Sequence, residues 1–583
     1  MPSARHRTGD TKKEMIAAAY RHLRHPVPTV IDPNSPSHDV QLALDYLRML
    51  GERLQCITAG TTLRRATIIE FEKHWPFVWS WTRTFFKQSV LHNEPTTAKG
   101  IEFRDILLEL LHDVVCFHSP ESAWCDPEHM SSLSLMQRTP DLFPTILQAF
   151  IFCVDQAHRY LPKIFFLFNI SLASSIADPS LFFHNSSLVS NSPEVVKRLV
   201  SYIRTEARKQ HTDTRLFTSA FGIISSLTKA SRKDLDVLLA HGALDCLLWV
   251  LKIIINPRRL ADLGPDHYAV LIVGNIFQVF LKVTQHHGPS GLVLLLRGDV
   301  LRSMINSSAL IPYDTDQESF ELNRARTLPF YFAKLLGDMP AMLFYRRILH
   351  LVLETLDKVD EELLEDFLQT SFLSSSQSNL RKLWDLLCTE TTRMKELRDQ
   401  FESEGIVICF NLDCPRRESQ TNYKFRRMHC SRCKLTVYCS KKCQKHDWKV
   451  HNHRILCDAA VARVPKYSIT DTDLSFLRWY CIKDAETSWE GIGPRVVECR
   501  EAQGGAMQVV IMDYRQVPRT ISIVSVDDYD DERLQELEIS QAFVLQLQMQ
   551  AKQHQSEGYR VVVHGIYHED GNFSLMFAPP VDV

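Results

Sequence analysis

Cys409-Phe-Asn-Leu-Asp-Cys414 opens a segment that contains seven of the fifteen cysteines in the sequence. Cys430-Ser-Arg-Cys433 and Cys439-Ser-Lys-Lys-Cys443 follow, and Cys457 closes the segment. One histidine added to these seven thiols makes eight ligands in four close pairs. A structural zinc ion takes four thiolate or imidazole ligands in a closed tetrahedron. Eight ligands therefore predict two zinc ions that stabilise a fold and keep no open coordination position.

A disulfide framework is the main alternative for this segment. Disulfides are typical of small secreted chains, whereas this chain has 583 residues, no hydrophobic leader and an odd number of cysteines. The segment is rich in charge and poor in large aliphatic residues, so it cannot bury enough apolar surface to fold alone. Zinc ligation contributes about 10–16 kcal/mol in small zinc peptides, and we therefore expect the metal to be required for folding here.

Three dipeptides accompany the cysteines: Tyr438-Cys439, Cys443-Gln444 and Asp447-Trp448. With the order of the seven cysteines and a histidine before the last one, they resemble the MYND-type zinc finger over residues 409–457. The spacer between the first two cysteines and the spacer before the third are longer than in the commonest family pattern, and neither change removes a ligand. The family interleaves its ligands, which implies one zinc on Cys409, Cys414, Cys439 and Cys443, and the other on Cys430, Cys433, a histidine and Cys457.

The sequence leaves the choice of the histidine ligand open. His451 stands three residues after Trp448, as in many MYND fingers, whereas His453 stands four residues before Cys457. In a helix, residues four apart lie on one face, while residues six apart point about 240° away from each other around the axis. His453 is therefore the favoured ligand, and His451 is the alternative.

The resemblance also implies a function. MYND fingers bind short proline-containing peptides in a groove, and Gln444 and Trp448 match positions that line it. The segment holds twelve Lys and Arg residues against three acidic ones, which allows the alternative of a regulator that contacts nucleic acid through its basic face. Basic residues are often the solvated face of a zinc module, and no recognition helix is evident. Protein partners are therefore favoured over nucleic acid.

The sequence lacks the signature motifs of several common enzyme classes. The sequence contains no Walker-type phosphate loop, no Gly-x-Ser-x-Gly elbow and no His-Glu-x-x-His zinc pair. Some SET lysine methyltransferases carry a MYND finger, but the Asn-His-Ser-Cys-type motif of that domain does not follow Cys457. We therefore expect a zinc-binding interaction or scaffold protein and no enzyme, with a SET-type relative as the less favoured alternative.

The chain before the finger has a helical pattern. Residues 1–10 are polar and predict a loose terminus, and residues 11–400 repeat apolar side chains every three or four positions, as in 40–50 and 101–115. Gly242 and Gly298 each follow an apolar helix end, where glycine supplies the left-handed conformation of a sharp corner. The passage Phe217–Leu251 resembles armadillo repeats. The predicted class is mainly α, with an irregular armadillo-like α-solenoid ahead of the finger.

After the finger the pattern predicts a small α+β domain over residues 471–583. A helix at 471–485 precedes strand patterns at 508–512 and 520–526, where β-branched residues alternate. A second helix at 530–553 leads to strands at 560–567 and 573–577, which Asp570-Gly571 joins as a hairpin.

Composition sets the remaining expectations. Hydrophobic residues make up 45% and charged residues 23% of the chain, as in ordinary globular proteins. No run of eighteen apolar residues occurs, and the nearest candidate, Tyr268–Val283, is interrupted by Asn275 and Gln278, so it predicts a buried helix and no membrane span. With no targeting segment, the expected compartment is the cytoplasm or the nucleus.

Overall fold

The computed structural model of the protein describes residues 5–55, 62–88, 97–116, 139, 141–156, 159–174, 179–209, 214–256, 266–310, 327–369, 380–404, 409, 411, 414, 428–433, 436–450, 453–454, 457, 470–504, 508–525, 561–567 and 573–577. Contacts divide the chain into two units, Met1–Val279 and Phe280–Val583. This division falls inside the segment 11–400. The domain ranges given by the sequence stay predictions.

The first unit is helical throughout its described residues. Its helices are α1 Arg5–Leu23, α2 His38–Gln55, α3 Thr62–Phe86, α4 Ala98–Cys116, α5 Leu142–Asp155, α6 Leu161–Ser174, α7 Pro179–Ser190, α8 Pro193–Ala207, α9 Thr214–Ala230, α10 Arg232–Ala240, α11 Ala243–Ile254 and the first part of α12 Asp266–Arg297. Helix α1 begins inside the segment predicted to be a loose terminus, so that prediction is wrong from Arg5 onward.

Apolar periodicity accounts for these helices. In α8, proline occupies the first turn, where it removes no helical hydrogen bond. Val195, Val196, Leu199, Val200 and Ile203 then follow at helical spacing and are buried. Such buried stripes confirm the mainly α class, whereas the armadillo-like arrangement stays a prediction.

The two predicted corners differ in the residue that makes the turn. Gly242 has φ of 72° and directly precedes α11, as the sequence predicted. At the second corner, the left-handed residue is Asp299 with φ of 69°, and not Gly298. Aspartate tolerates this conformation better than most residues because its short side chain bonds locally. The left-handed residue at this corner therefore lies one position after the glycine that was predicted to adopt it.

Helix α12 contains the apolar segment that was expected to be a buried helix. It is kinked at Gly288, which has a non-helical backbone, and Pro289 follows the kink. By length and composition, Ala269–Arg297 is the one described helix able to cross a membrane, and α10 with α11 passes the same test only as a pair bent by 73°. Of the apolar window in α12, 67% is buried inside the protein, as in a core helix.

The second unit combines helices, the cysteine-rich segment and a sheet. After the end of α12 come α13 Val300–Asn306, a 3₁₀ turn Ser307–Leu310, α14 Thr327–Asp338, a 3₁₀ turn Pro340–Met342, α15 Arg346–Leu356, α16 Glu361–Gln369, α17 Leu380–Glu404, β1 Met428–His429, β2 Val437–Tyr438, α18 Lys441–Val450, α19 Asp471–Thr487, α20 Trp489–Ala502, β3 Gln508–Asp513, β4 Thr520–Ser525, β5 Val561–Ile566 and β6 Phe573–Phe577.

The C-terminal strands form one mixed sheet in the order β4-β3-β5-β6. β3 pairs antiparallel with β4 and parallel with β5, and β5 pairs antiparallel with β6. The predicted strands and the α+β class are confirmed. Helix α20 was not predicted, because Gly491, Gly493 and Pro494 interrupt its pattern. The predicted helix at 530–553 and the Asp570-Gly571 turn lie outside the described residues.

A buried ion pair joins the helices on either side of the cysteine-rich segment. Arg398 of α17 donates to Asp473 of α19 over 2.5 Å, and it also donates to the backbone oxygen of Phe344 over 2.9 Å. The side chains of Arg398 and Asp473 are only 5% and 3% exposed. Burial lowers the pKa of Arg398, and Asp473 offsets part of that effect.

Aromatic packing surrounds this ion pair. Phe401 of α17 contacts Phe476 and Trp479 of α19, with ring centroids 5.5 and 5.6 Å apart. The guanidinium of Arg398 lies over the ring of Phe476, 4.1 Å from its centroid. The cysteine-rich segment therefore lies in the sequence between two helices, α17 and α19, that are held together by a buried ion pair and aromatic packing. We call this contact between α17 and α19 the base of the finger.

Candidate metal centre

Eight side chains of the cysteine-rich segment gather into two groups of four. The first group is Cys409, Cys414, Cys439 and Cys443, and the second is Cys430, Cys433, His453 and Cys457. Within each group, the sulfur and nitrogen atoms all lie within 4.8 Å of one another. The groups interleave along the chain as the family resemblance implied, with His453 in the second group. His451 lies outside the described residues.

A short hairpin and one helix position these ligands. β1 pairs antiparallel with β2, and the backbone N–H of Cys430 donates to the carbonyl of Thr436 over 3.0 Å, so the chain turns tightly through Cys433. Cys439 follows β2, and α18 places Cys443 one helical turn later. Each close pair of ligands thus enters one group, and successive pairs alternate between the two groups.

The first group has the dimensions of a tetrahedral zinc site. Its sulfur–sulfur distances are 3.6 Å for Cys414–Cys439, 3.5 Å for Cys439–Cys443 and 3.7 Å for Cys443–Cys414. A zinc–sulfur bond of about 2.3 Å gives a tetrahedron with edges of about 3.8 Å. Four thiolates at these separations fit one zinc ion.

The second group fits a zinc ion with three sulfur ligands and one nitrogen ligand. Cys430 and Cys457 lie 3.7 Å apart at sulfur, and the Nε2 atom of His453 lies 3.7 Å from the sulfur of Cys433. Zinc bonds of about 2.0 Å to nitrogen and 2.3 Å to sulfur place the two atoms about 3.5 Å apart. The imidazole therefore presents Nε2 to the metal position.

The same distances argue against disulfides. A disulfide needs sulfur atoms about 2.05 Å apart, and all twelve cysteines that the structure describes in full are free thiols. The thiols are also the core of the finger: six of the seven pack in one buried cluster with Tyr438, while Cys439, Met428 and Trp448 lie partly buried against it. Because its buried core consists mainly of metal ligands, this segment depends on its metals to fold.

Burial and hydrogen bonding act on the thiols in different ways. Burial raises the pKa of Cys457 to about 12 and moves the pKa of Cys409 well above the ordinary thiol range. Burial also raises the pKa of Cys443, but hydrogen bonds with Ser440 and Asn411 lower it to about 7 overall. Burial therefore favours the protonated form of Cys409 and Cys457, and zinc must displace their protons to bind.

Zinc affinity is therefore expected to fall as the pH falls. Zinc binds the thiolate and displaces its proton, so each protonated ligand weakens apparent binding about tenfold per pH unit below its pKa. In the unfolded, metal-free finger a thiol has a pKa of about 8.5, so this effect already holds in the neutral range. Between pH 7.5 and 6.5, competition with a chelator of known affinity should show at least about a tenfold loss. An affinity that does not depend on pH would contradict this assignment of thiolate ligands.

The family model described as the MYND finger matches residues 413–457. This segment is a MYND finger. The match contains seven of the eight ligands and begins after Cys409, whose place in the first zinc group is given by the structure. The two groups correspond to the two zinc sites of a MYND finger, so zinc is the cofactor that this segment binds.

No curated protein matches the sequence. Among solved structures, a crystal structure described as an engineered protein aligns with 65% of this chain and 99% of its own chain. Its sequence identity is 10% and its TM-score is 0.23, and these values support no conclusion about fold or function.

The two residues predicted to bind peptide lie on helix α18 of the MYND finger. Gln444 and Trp448 are four residues apart, so they share one face, and both are half-buried. Trp448 packs against the cysteine cluster, with its ring centroid 5.7 Å from that of His453. Their role in binding stays a prediction.

Sequence reasoning missed the buried polar residues around the second zinc site of the MYND finger. Thr436, Tyr438 and Asp447 are each at most 5% exposed. The hydroxyl of Thr436 lies 3.4 Å from the sulfur of Cys433 and 3.3 Å from Nε2 of His453. Asp447 stands four residues after Cys443, and this helical spacing was the available signal.

Proposed function

We propose that this protein is an interaction or scaffold protein whose MYND finger binds short proline-containing peptides along helix α18. The role in protein interaction rests on the family match, because the MYND finger is a protein-interaction module. The peptide class rests on one observation in this chain: the half-buried ring of Trp448 is held against the cysteine cluster.

The chemistry of α18 suits an extended proline-rich segment. Such peptides adopt a preformed polyproline helix that docks on aromatic side chains at a low cost in conformational entropy. The indole of Trp448 offers flat apolar area to a proline ring. Gln444, one helical turn earlier, offers an amide that can donate to or accept from the peptide backbone. A rigid aromatic and a neighbouring amide together support this class of ligand.

The proposal includes no catalytic step. Each zinc group already presents four protein ligands, and a closed tetrahedron leaves no position for water or substrate. The free thiols of the described residues suit a reducing compartment, which supports the cytoplasm or the nucleus as the place of action.

A second candidate function is nonspecific binding to nucleic acid. Lys441, Lys442, Lys445 and Lys449 of α18 are exposed. Seven thiolates and two zinc ions contribute −3 to the +9 of the segment and leave a net charge of +6. Such binding would lose affinity steeply as salt rises, whereas apolar docking on Trp448 would not. Salt dependence of partner binding therefore separates the two functions.

Replacing Trp448 with alanine is expected to abolish peptide capture and to leave both zinc ions in place. Trp448 is not a ligand, and buried aromatic anchors at interfaces commonly contribute 2 kcal/mol or more, which is about a thirtyfold change in affinity. A peptide array of proline-containing sequences, probed with the full chain, measures the loss. Val450→Ala is the matched control, because Val450 is an exposed apolar residue on another face of α18. Undiminished capture by Trp448→Ala would contradict the assigned surface.

A further inference from the structure

A carboxylate and a phenol are buried beside the second zinc group. Asp447 is 4% exposed, Tyr438 is fully buried, and the ligand His453 is 1% exposed. Carboxylates are seldom buried unless another group pairs with them. The surroundings of Asp447 therefore indicate what it does.

Asp447 lies between the phenol and the imidazole. The hydroxyl of Tyr438 donates to Oδ2 of Asp447 over 2.6 Å. The same oxygen lies 3.8 Å from Nδ1 of His453, on the side of the ring opposite the metal position. Nδ1 has no hydrogen-bond partner among the residues that the structure describes. Among the described residues, Asp447 thus presents a carboxylate oxygen toward this nitrogen.

This arrangement selects one tautomer of the imidazole. A neutral imidazole carries one proton, and a nitrogen that binds zinc must offer its lone pair. With Nε2 facing Cys433 at 3.7 Å, the proton belongs on Nδ1, where it faces the negative charge of Asp447. A proton on Nε2 would place the lone pair of Nδ1 against the carboxylate and would block the metal.

Two aromatic rings also lie near the imidazole. Tyr438 meets the ring of His453 edge-on, with centroids 6.0 Å apart and an angle of 86° between the planes. Trp448 lies on another side at 5.7 Å. The hydroxyl of Tyr438 is the donor in its bond to Asp447, because a carboxylate oxygen accepts.

We infer that Asp447 is the positioning residue of the second zinc site, and that Tyr438 fixes its carboxylate. Asp447 acts through His453: it holds the proton on Nδ1 and directs Nε2 toward the metal. Groups that hydrogen-bond to a metal ligand typically change metal affinity by 10–100-fold when they are removed. The first zinc site, which has four thiolates, does not depend on this carboxylate.

The test compares Asp447→Leu, Asp447→Asn and Tyr438→Phe in the full chain. Zinc is counted by native mass spectrometry while a chelator of known affinity competes for it. Asp447→Leu should lower the affinity for one of the two zinc ions by 10–100-fold and leave the affinity for the other unchanged. Asp447→Asn should recover most of the loss, because its amide oxygen can still face the proton on Nδ1. Tyr438→Phe should lower the zinc affinity less than Asp447→Leu does.

A double-mutant cycle separates this role from a general effect on folding. In a His453→Cys background, the second site has four sulfur ligands and no imidazole to orient. Asp447→Leu should therefore cost no further zinc affinity there. An equal loss in both backgrounds, or no loss with His453 present, would overturn the proposal.

Discussion

Removal of zinc by a chelator is expected to unfold the MYND finger and to leave the helices and the sheet folded. The buried cluster of the finger consists of its cysteine ligands and Tyr438, so no apolar core remains once the metals leave. Structural zinc contributes about 10–16 kcal/mol to small zinc modules, which exceeds the stability of most whole domains. Only α18 of the described helices lies in the finger, so helical circular dichroism should change little.

Limited proteolysis followed by peptide mass mapping measures this effect. Cleavage sites between residues 409 and 457 should become accessible after chelation and protected again when zinc is restored. Sites within α17 and α19, which pack on each other, are the internal control. A digestion pattern that does not change on chelation would show that the finger holds its fold without metal.

Replacing Asp473 with alanine is expected to destabilise the base of the finger by about 3–5 kcal/mol. Removing one partner of a buried ion pair leaves the other charge uncompensated, here Arg398 at 5% exposure. Asp473 also accepts from the backbone N–H of Arg346 and forms a capping box with Thr470 at the start of α19. The variant also loses the half of the capping box that the Asp473 side chain supplies.

Hydrogen exchange resolves this change within the full chain. Peptides from α19 should exchange at least about a hundredfold faster in Asp473→Ala, since 1.4 kcal/mol corresponds to a factor of ten. Glu365→Ala is the matched control in the same unit, because Glu365 and its partner Arg381 are 50% and 44% exposed. Exposed pairs contribute about 0–1 kcal/mol. Equal exchange rates in the two variants would contradict the account of the ion pair.

The sequence predicted best those features whose local residue pattern is compatible with few structures. The cysteine pairs limit the segment to a metal site, and β-branched alternation limited the C-terminal segments to strands that begin and end within two residues of the observed ones. The choice of His453 over His451 followed from one helical spacing. These features depend on residues that are close together in the chain.

The rest depends on contacts that sequence patterns do not contain. Arg398 and Asp473 are 75 residues apart, and nothing in either neighbourhood marks them as partners. Helix α20 forms despite two glycines and a proline, because Trp489, Ile492 and Val496 are buried in the fold. Packing outweighs weak local propensity at such places. The position of Asp447 between Tyr438 and His453 likewise depends on contacts that the sequence pattern alone does not give.

Zinc stoichiometry tests the central claim most directly. Native mass spectrometry of the full chain should find two zinc ions per molecule, and Cys409→Ser should retain one, although Cys409 lies outside the family match. One zinc in the unmodified chain, or two tightly held zinc ions in Cys409→Ser, would contradict the two groups of four ligands described above.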